Sequence, residues 1–237
     1  MDRPVLKRTP PPPFTSCLSK RELILVLAYL PVHLVLLQWG FSTLSGKGLL
    51  SEGHATLLYY VVGFVYMVCC AFGFLRRDFD ALVDAPFWCV REILRCYLWM
   101  MAFNVLVALL LWQMAELGNP NNEGIMNLYA QEAGSIKAAV IFLAPPVEEM
   151  MFRAGLFGLV RRKSRVWAYI ASALCFSLYH VAPYAIQEPL YWVFILQYIP
   201  VSLLLARCYE RTNSIWGSIF FHMLINGISL SALSAIE

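Results

Sequence analysis

The chain has 237 residues, 60% hydrophobic and 14% charged, with a mean hydropathy of +0.64. Soluble domains are nearer ~45–50% apolar, so the composition excludes an ordinary soluble enzyme and calls for several membrane spans. The formal net charge of +3 is too small to argue for a nucleic-acid partner; where the charges lie along the chain matters more.

Residues 1–21 form a basic, proline-rich tail that holds Lys7, Arg8, the run Pro10 to Pro13, Lys20 and Arg21. The apolar run 22–44 is too long for the core of a signal peptide and lacks a small-x-small cleavage site, so it reads as a retained first span. Within it, His33 reads as a packed polar residue. A short polar link leads to a second span at 55–75, ended by Arg76, Arg77 and Asp78. Over 79–95 apolar and charged residues interleave, and the pattern predicts an interfacial amphipathic helix capped by Asp84, with Pro86 in its first turn. Its apolar side would hold Phe87, Trp88, Val90, Ile93 and Leu94, opposite Arg91, Glu92 and Arg95. A third span follows at 96–114, so residues 22–114 make an N-terminal membrane region, and 115–136 form a polar link.

Residues 137–237 supply four more helices, at 137–162, 166–186, 190–206 and 214–235. Placing the basic segments inside gives one consistent alternation, with the N-terminus cytoplasmic and the C-terminus outside. The expected fold is an all-α polytopic transmembrane bundle of about seven to eight spans. Seven cysteines fall mostly inside apolar runs without metal-ligand spacing and read as packed thiols rather than a disulfide framework. No internal repeat supports an inverted-repeat transporter.

The stretch 137–162 carries Pro145, Pro146, Glu148, Glu149 and Arg153 amid apolar residues. An ionised side chain at bilayer depth costs several kcal/mol, so its retention there points to a site or to an ion-pair lock between helices. Glu149 and Arg153 are four apart, share a helix face and can pair; Glu148 is rotated away and left for chemistry. Phe176 and His180 are four apart on a second helix, and His222 and Asn226 on another. At 1.5 Å per residue, Glu148, His180, His222 and Asn226 lie roughly 18, 21, 12 and 18 Å from the inner ends of their spans, so all reach the middle of the membrane. A carboxylate, two imidazoles and an amide at one depth suit water activation and oxyanion stabilisation. Desolvation there fits Glu148 to act as a general base. Glu148, His180 and His222 equally make a donor set that catalytic zinc accepts, and the residues leave zinc-bound water and protein-held water both open. Haem held by His180 and His222 would give Glu148, Glu149 and Arg153 no role. A proton-coupled transporter or a catalytically silent membrane scaffold could use the same fold.

Glu148-Glu149-Met-Met-Phe-Arg153, Phe176-Ser-Leu-Tyr-His180 and His222-Met-Leu-Ile-Asn226 resemble, in order, the E-E-x-x-x-R, F-x-x-x-H and H-x-x-x-N motifs of the CPBP intramembrane proteases. That family includes type II CAAX prenyl endopeptidases and bacterial enzymes tied to bacteriocin immunity and peptide processing. The resemblance implies hydrolysis of a membrane-associated peptide or protein within the bilayer. It implies water activated by Glu148 and His180, with an oxyanion site at His222 and Asn226. Family members have been described as metalloproteases and as metal-independent glutamate-type proteases, so zinc is a possible but not a required cofactor. Two departures stand out: Ala154 follows the motif arginine where the family often has glycine, and seven spans fall one short of the eight of CAAX endopeptidases. They suggest a compact member in a bacterial cell membrane.

Overall fold

The computed structural model describes residues 14–112 and 117–235; the tail's Lys7, Arg8 and Pro10 to Pro13, and Glu237, lie outside them. Every element among the described residues is helical. Helix α1 spans Lys20–Gly46. Ser19 accepts from the Glu22 backbone N–H while Glu22 reaches back to Ser19 N, which closes its first turn. Pro31 removes one helical N–H, and wide π-type turns follow over Val32–Leu37.

Helix α2, Glu52–Asp84, starts on Ser51 and bends at Ala71 (φ −128°, ψ 26°). It breaks at Ala85, because the residue ahead of Pro86 is barred from α geometry, and Pro86 opens α3, Pro86–Leu110. The expected interfacial helix over 79–95 is therefore no separate element: the two halves of that stretch continue the long helices α2 and α3, and Asp84 closes α2 rather than capping its successor. Of the expected apolar side, Phe87, Val90 and Leu94 are exposed on α3, whereas Trp88 turns inward to donate to the Arg211 carbonyl at 2.8 Å and Ile93 packs against the core.

The 115–136 stretch, expected as a polar link, is helical from Pro120. Asn119 accepts from the N–H groups of Asn121 and Asn122, Pro120 fills the first helical position, and α4 runs Pro120–Lys137 with a kink at Glu132. It leads without a break into α5, residues 138–161, in which turns of π type flank Pro145 and Pro146. Residues 144–155 are all buried. A helix buried all round occupies the middle of a bundle. Helices α6 (Arg165–Ala185), α7 (Pro189–Thr212) and α8 (Ile215–Leu233) complete the fold, and α1, α2, α6, α7 and α8 all touch α5. Asn213, in the left-handed region at φ 52°, ends α7, and its side-chain oxygen accepts from Thr15 N and Ser16 N, which ties the start of the described chain to this end of the bundle.

Among the described residues six helices, α1, α2, α3, α6, α7 and α8, are long and apolar enough to cross a membrane. Their outer faces are apolar: Leu98, Trp99, Leu109 and Leu110 of α3 are all exposed. The chain is an integral membrane protein with an all-helical polytopic bundle. The seventh span expected from sequence is α5; at 1.5 Å per residue it is about 36 Å long, enough to cross a ~30 Å core, but Glu148, Glu149 and Arg153 deny it an apolar stretch.

Candidate active site

Glu148 and Glu149 are successive residues of α5 and point to different neighbours, as the 100° helical step requires. Glu149 is fully buried, and its Oε1 accepts from Arg153 Nη1 at 3.0 Å and from His222 Nδ1 at 2.8 Å. Its Oε2 accepts from the Ser218 hydroxyl. Arg153, also fully buried, donates through Nη2 to Ser202 Oγ at 3.0 Å, and its guanidinium lies over the Phe176 ring, 4.2 Å from the centroid. The pairing foreseen for Glu149 and Arg153 is present, and His222 extends it.

Glu148 is buried, and Tyr60 of α2 donates to its Oε1 at 3.1 Å. Its other oxygen, Oε2, lies 3.9 Å from His180 Nε2 and 3.8 Å from His222 Nε2. The far nitrogen of each ring is already engaged. His180 Nδ1 bonds the Phe176 carbonyl at 3.0 Å, and His222 Nδ1 bonds Glu149. Both acceptors oblige Nδ1 to carry a hydrogen, so both Nε2 atoms are left to serve the space beside Glu148. Tyr198 stacks on the His180 ring at 4.7 Å and fixes its plane.

These groups open onto a cavity of about 740 Å³, lined among others by Glu148, His180, His222 and Asn226. Asn226, one turn beyond His222, gives one amide hydrogen to the Val140 carbonyl at 2.9 Å. Its second hydrogen and its oxygen remain. Ser218, His222 and Asn226 are spaced by four on α8, so one face of one helix serves both Glu149 and the cavity. That spacing was visible in the sequence, although Ser218 drew no notice there. Tyr60 left no local signal, since it sits in an apolar span 88 positions from Glu148. Tyr179, whose phenol lies 3.3 Å from that of Tyr60, was missed for the same reason.

His33, expected as a packed polar residue, is fully buried and stacks on Tyr59 at 4.3 Å, away from the carboxylates. Among the described residues no three His, Cys, Asp or Glu side chains are grouped closely enough to hold a metal ion. The Glu148, His180 and His222 donors are of the kind zinc takes. Tetrahedral bonds of ~2.1 Å, however, would set donor atoms about 3.4 Å apart. The observed 3.8 and 3.9 Å are wider.

No curated protein and no solved structure matches the chain. Residues 132–228 match the family model described as type II CAAX prenyl endopeptidase Rce1-like, a segment that runs from the kink of α4 through Glu148, His180 and His222 to just beyond Asn226. Over that segment, which takes in all three motifs, the chain is similar to the Rce1-like type II CAAX prenyl endopeptidases.

Proposed function

We propose that this protein hydrolyses a peptide bond of a membrane-associated peptide or protein, using a water held between Glu148 and His180. The observation that carries this reading is the approach of two imidazole Nε2 atoms to one carboxylate oxygen, at 3.9 and 3.8 Å, on the wall of a cavity. Three such atoms facing one another need a donor between them. A water placed ~2.8 Å from Oε2 and from either Nε2 would subtend roughly 90°, an acceptable hydrogen-bond angle at an oxygen. The spacing therefore leaves room for a water held by protein groups.

Glu148 Oε2 takes a proton from this water as its oxygen attacks the scissile carbonyl carbon. His180 Nε2 accepts the water's other hydrogen and orients it. The carbonyl oxygen becomes an oxyanion beside His222 and Asn226, where the second Asn226 amide hydrogen donates to it. Glu148 then returns its proton to the leaving nitrogen, the C–N bond breaks, and a carboxylic acid and an amine result. Glu149 and Arg153 stay fixed throughout; their part is to hold His222 and α5. The basic helix ends gather at one end of the bundle, away from the carboxamides of the cavity, and by the positive-inside rule this supports a cavity mouth on the non-cytoplasmic side.

The test uses detergent-purified protein and quenched membrane-associated peptides, both farnesylated and unmodified. Glu148→Ala and His180→Ala should each abolish cleavage while the melting temperature stays near wild type, and cleavage should survive exhaustive chelation. Full activity in Glu148→Ala would sink the mechanism. Stoichiometric zinc that is lost in Glu148→Ala, together with activity restored by zinc after chelation, would replace protein-held water by a metal-bound one.

A further inference from the structure

The cavity beside Glu148 is unusual in its polar lining. The chain has seven asparagines and five glutamines, and seven of these twelve carboxamides line this one space. Besides Asn226 they are Gln38 of α1, Asn104 of α3, Asn119, Asn121 and Asn122 at the start of α4, and Gln197 of α7. Among the described lining residues Glu148 is the one acid, and none is a lysine or an arginine.

Part of this set braces itself. Asn119 Nδ2 donates to Gln197 Oε1 at 2.6 Å, and Asn121 Nδ2 donates to Tyr198 OH at 3.1 Å. Even so, the Gln197 amide group, the Asn121 carbonyl and the whole Asn122 carboxamide keep capacity in reserve. Gln38 and Asn104 form no side-chain hydrogen bond to another described residue, although both sit inside helices that cross the membrane. Both are exposed and line the same cavity, so their donors and acceptors stand free for a polar occupant.

We infer that these carboxamides bind the main chain of an extended substrate peptide. A carboxamide is the same functional group as a peptide unit, with a donor and an acceptor and no charge. An extended segment presents its C=O and N–H groups in alternation to both sides, and a wall of uncharged two-way groups can pair with them in any register. A wall built for a free carboxylate or a phosphate would instead carry guanidinium or ammonium groups. The occupant is thus an internal stretch of polypeptide, gripped through its backbone between the mouth at Asn119–Asn122 and Glu148. Selection falls on extended conformation and low charge more than on side-chain identity. This inference rests on the hydrolytic reading above for the word substrate, but the binding itself can be tested without turnover.

The experiment measures binding to Glu148→Gln protein, and to the same protein with Gln38→Leu and Asn104→Leu added, by fluorescence anisotropy. The probes are a labelled farnesylated nonapeptide and its counterpart N-methylated at alternate backbone nitrogens. Leucine suits a span, and a melting curve checks that the fold survives. The leucine pair should weaken the parent peptide at least about fivefold, the loss expected for one or two hydrogen bonds. N-methylation should weaken binding similarly, and the leucine pair should then cost the methylated peptide nothing further. Equal binding of the parent peptide to both proteins, additive losses, or no saturable binding of the parent would overturn the inference. Cleavage retained by Glu148→Gln, with coupled losses in binding, would sink the hydrolytic role of Glu148 and leave the carboxamide wall standing.

Discussion

The two adjacent glutamates are held in different ways. Glu149 is saturated by Arg153, His222 and Ser218, whereas Glu148 has one oxygen held by Tyr60 and the other free toward the cavity. Tyr60 →Phe should leave the fold intact but release Glu148 Oε1. Hydrogen bonds to charged groups contribute about 1.5–3 kcal/mol, so kcat should fall by roughly tenfold or more while KM changes less than twofold. Tyr66→Phe is the matched control on the same helix, since that phenol donates to the Leu25 carbonyl and should leave kcat unchanged. Arg153→Ala acts differently, because it strands Glu149 in a dry interior. Breaking a buried pair costs about 3–5 kcal/mol, so protein yield and melting temperature should drop together with activity. Normal expression of Arg153→Ala would contradict the assigned pairing. Cys175, exposed on α6 and outside the constellation, should tolerate alanine with little loss of cleavage.

At the scale of elements, the position of Tyr60 depends on how closely α2 can approach α5. Gly63, one turn along α2, makes that approach possible: a Cβ there would lie 3.0 Å from the Tyr29 hydroxyl and 3.1 Å from both γ-methyls of Val147. Val147 is β-branched, fully buried and adjacent to Glu148, so it has little room to give. Gly63→Ala should therefore destabilise the protein by about 1–3 kcal/mol through overpacking. It should also lower kcat, because the helix that carries Tyr60 is pushed from the carboxylate; a rise in melting temperature would refute the close contact. The π-type turns on both sides of Ala144–Glu149 belong to the same level. Pro145 and Pro146 lack N–H groups and cannot continue a regular ladder, and the widened turns around them re-aim the two glutamates.

For the whole molecule, the basic and the carboxamide-rich ends of the bundle are opposite, which gives the orientation a direct test. In a cysteine-replaced background, Glu123→Cys should react with a membrane-impermeant thiol reagent on intact cells, while Lys163→Cys should react only after permeabilisation; the reverse pattern would put the cavity mouth on the cytoplasmic side. Much of this architecture was legible in the chain alone. Long apolar runs announced spans because a backbone in lipid must satisfy its own hydrogen bonds, and Glu148, His180, His222 and Asn226 stood out because polar groups are rare at that depth. Helical spacing also placed Glu149 with Arg153 on one face. The tertiary structure alone decided the rest. Residues 79–95 joined the neighbouring spans, since Pro86 breaks the backbone at a single residue, and the stretch from Pro120 became helix, since Asn119 and Pro120 start one. Tyr60, Ser202 and Tyr198 reached the site from helices whose local sequence carries no motif. Motifs record neighbours along one helix, whereas a hydrogen bond across 88 positions, or a wall of amides drawn from five helices, exists only after packing has brought the faces together.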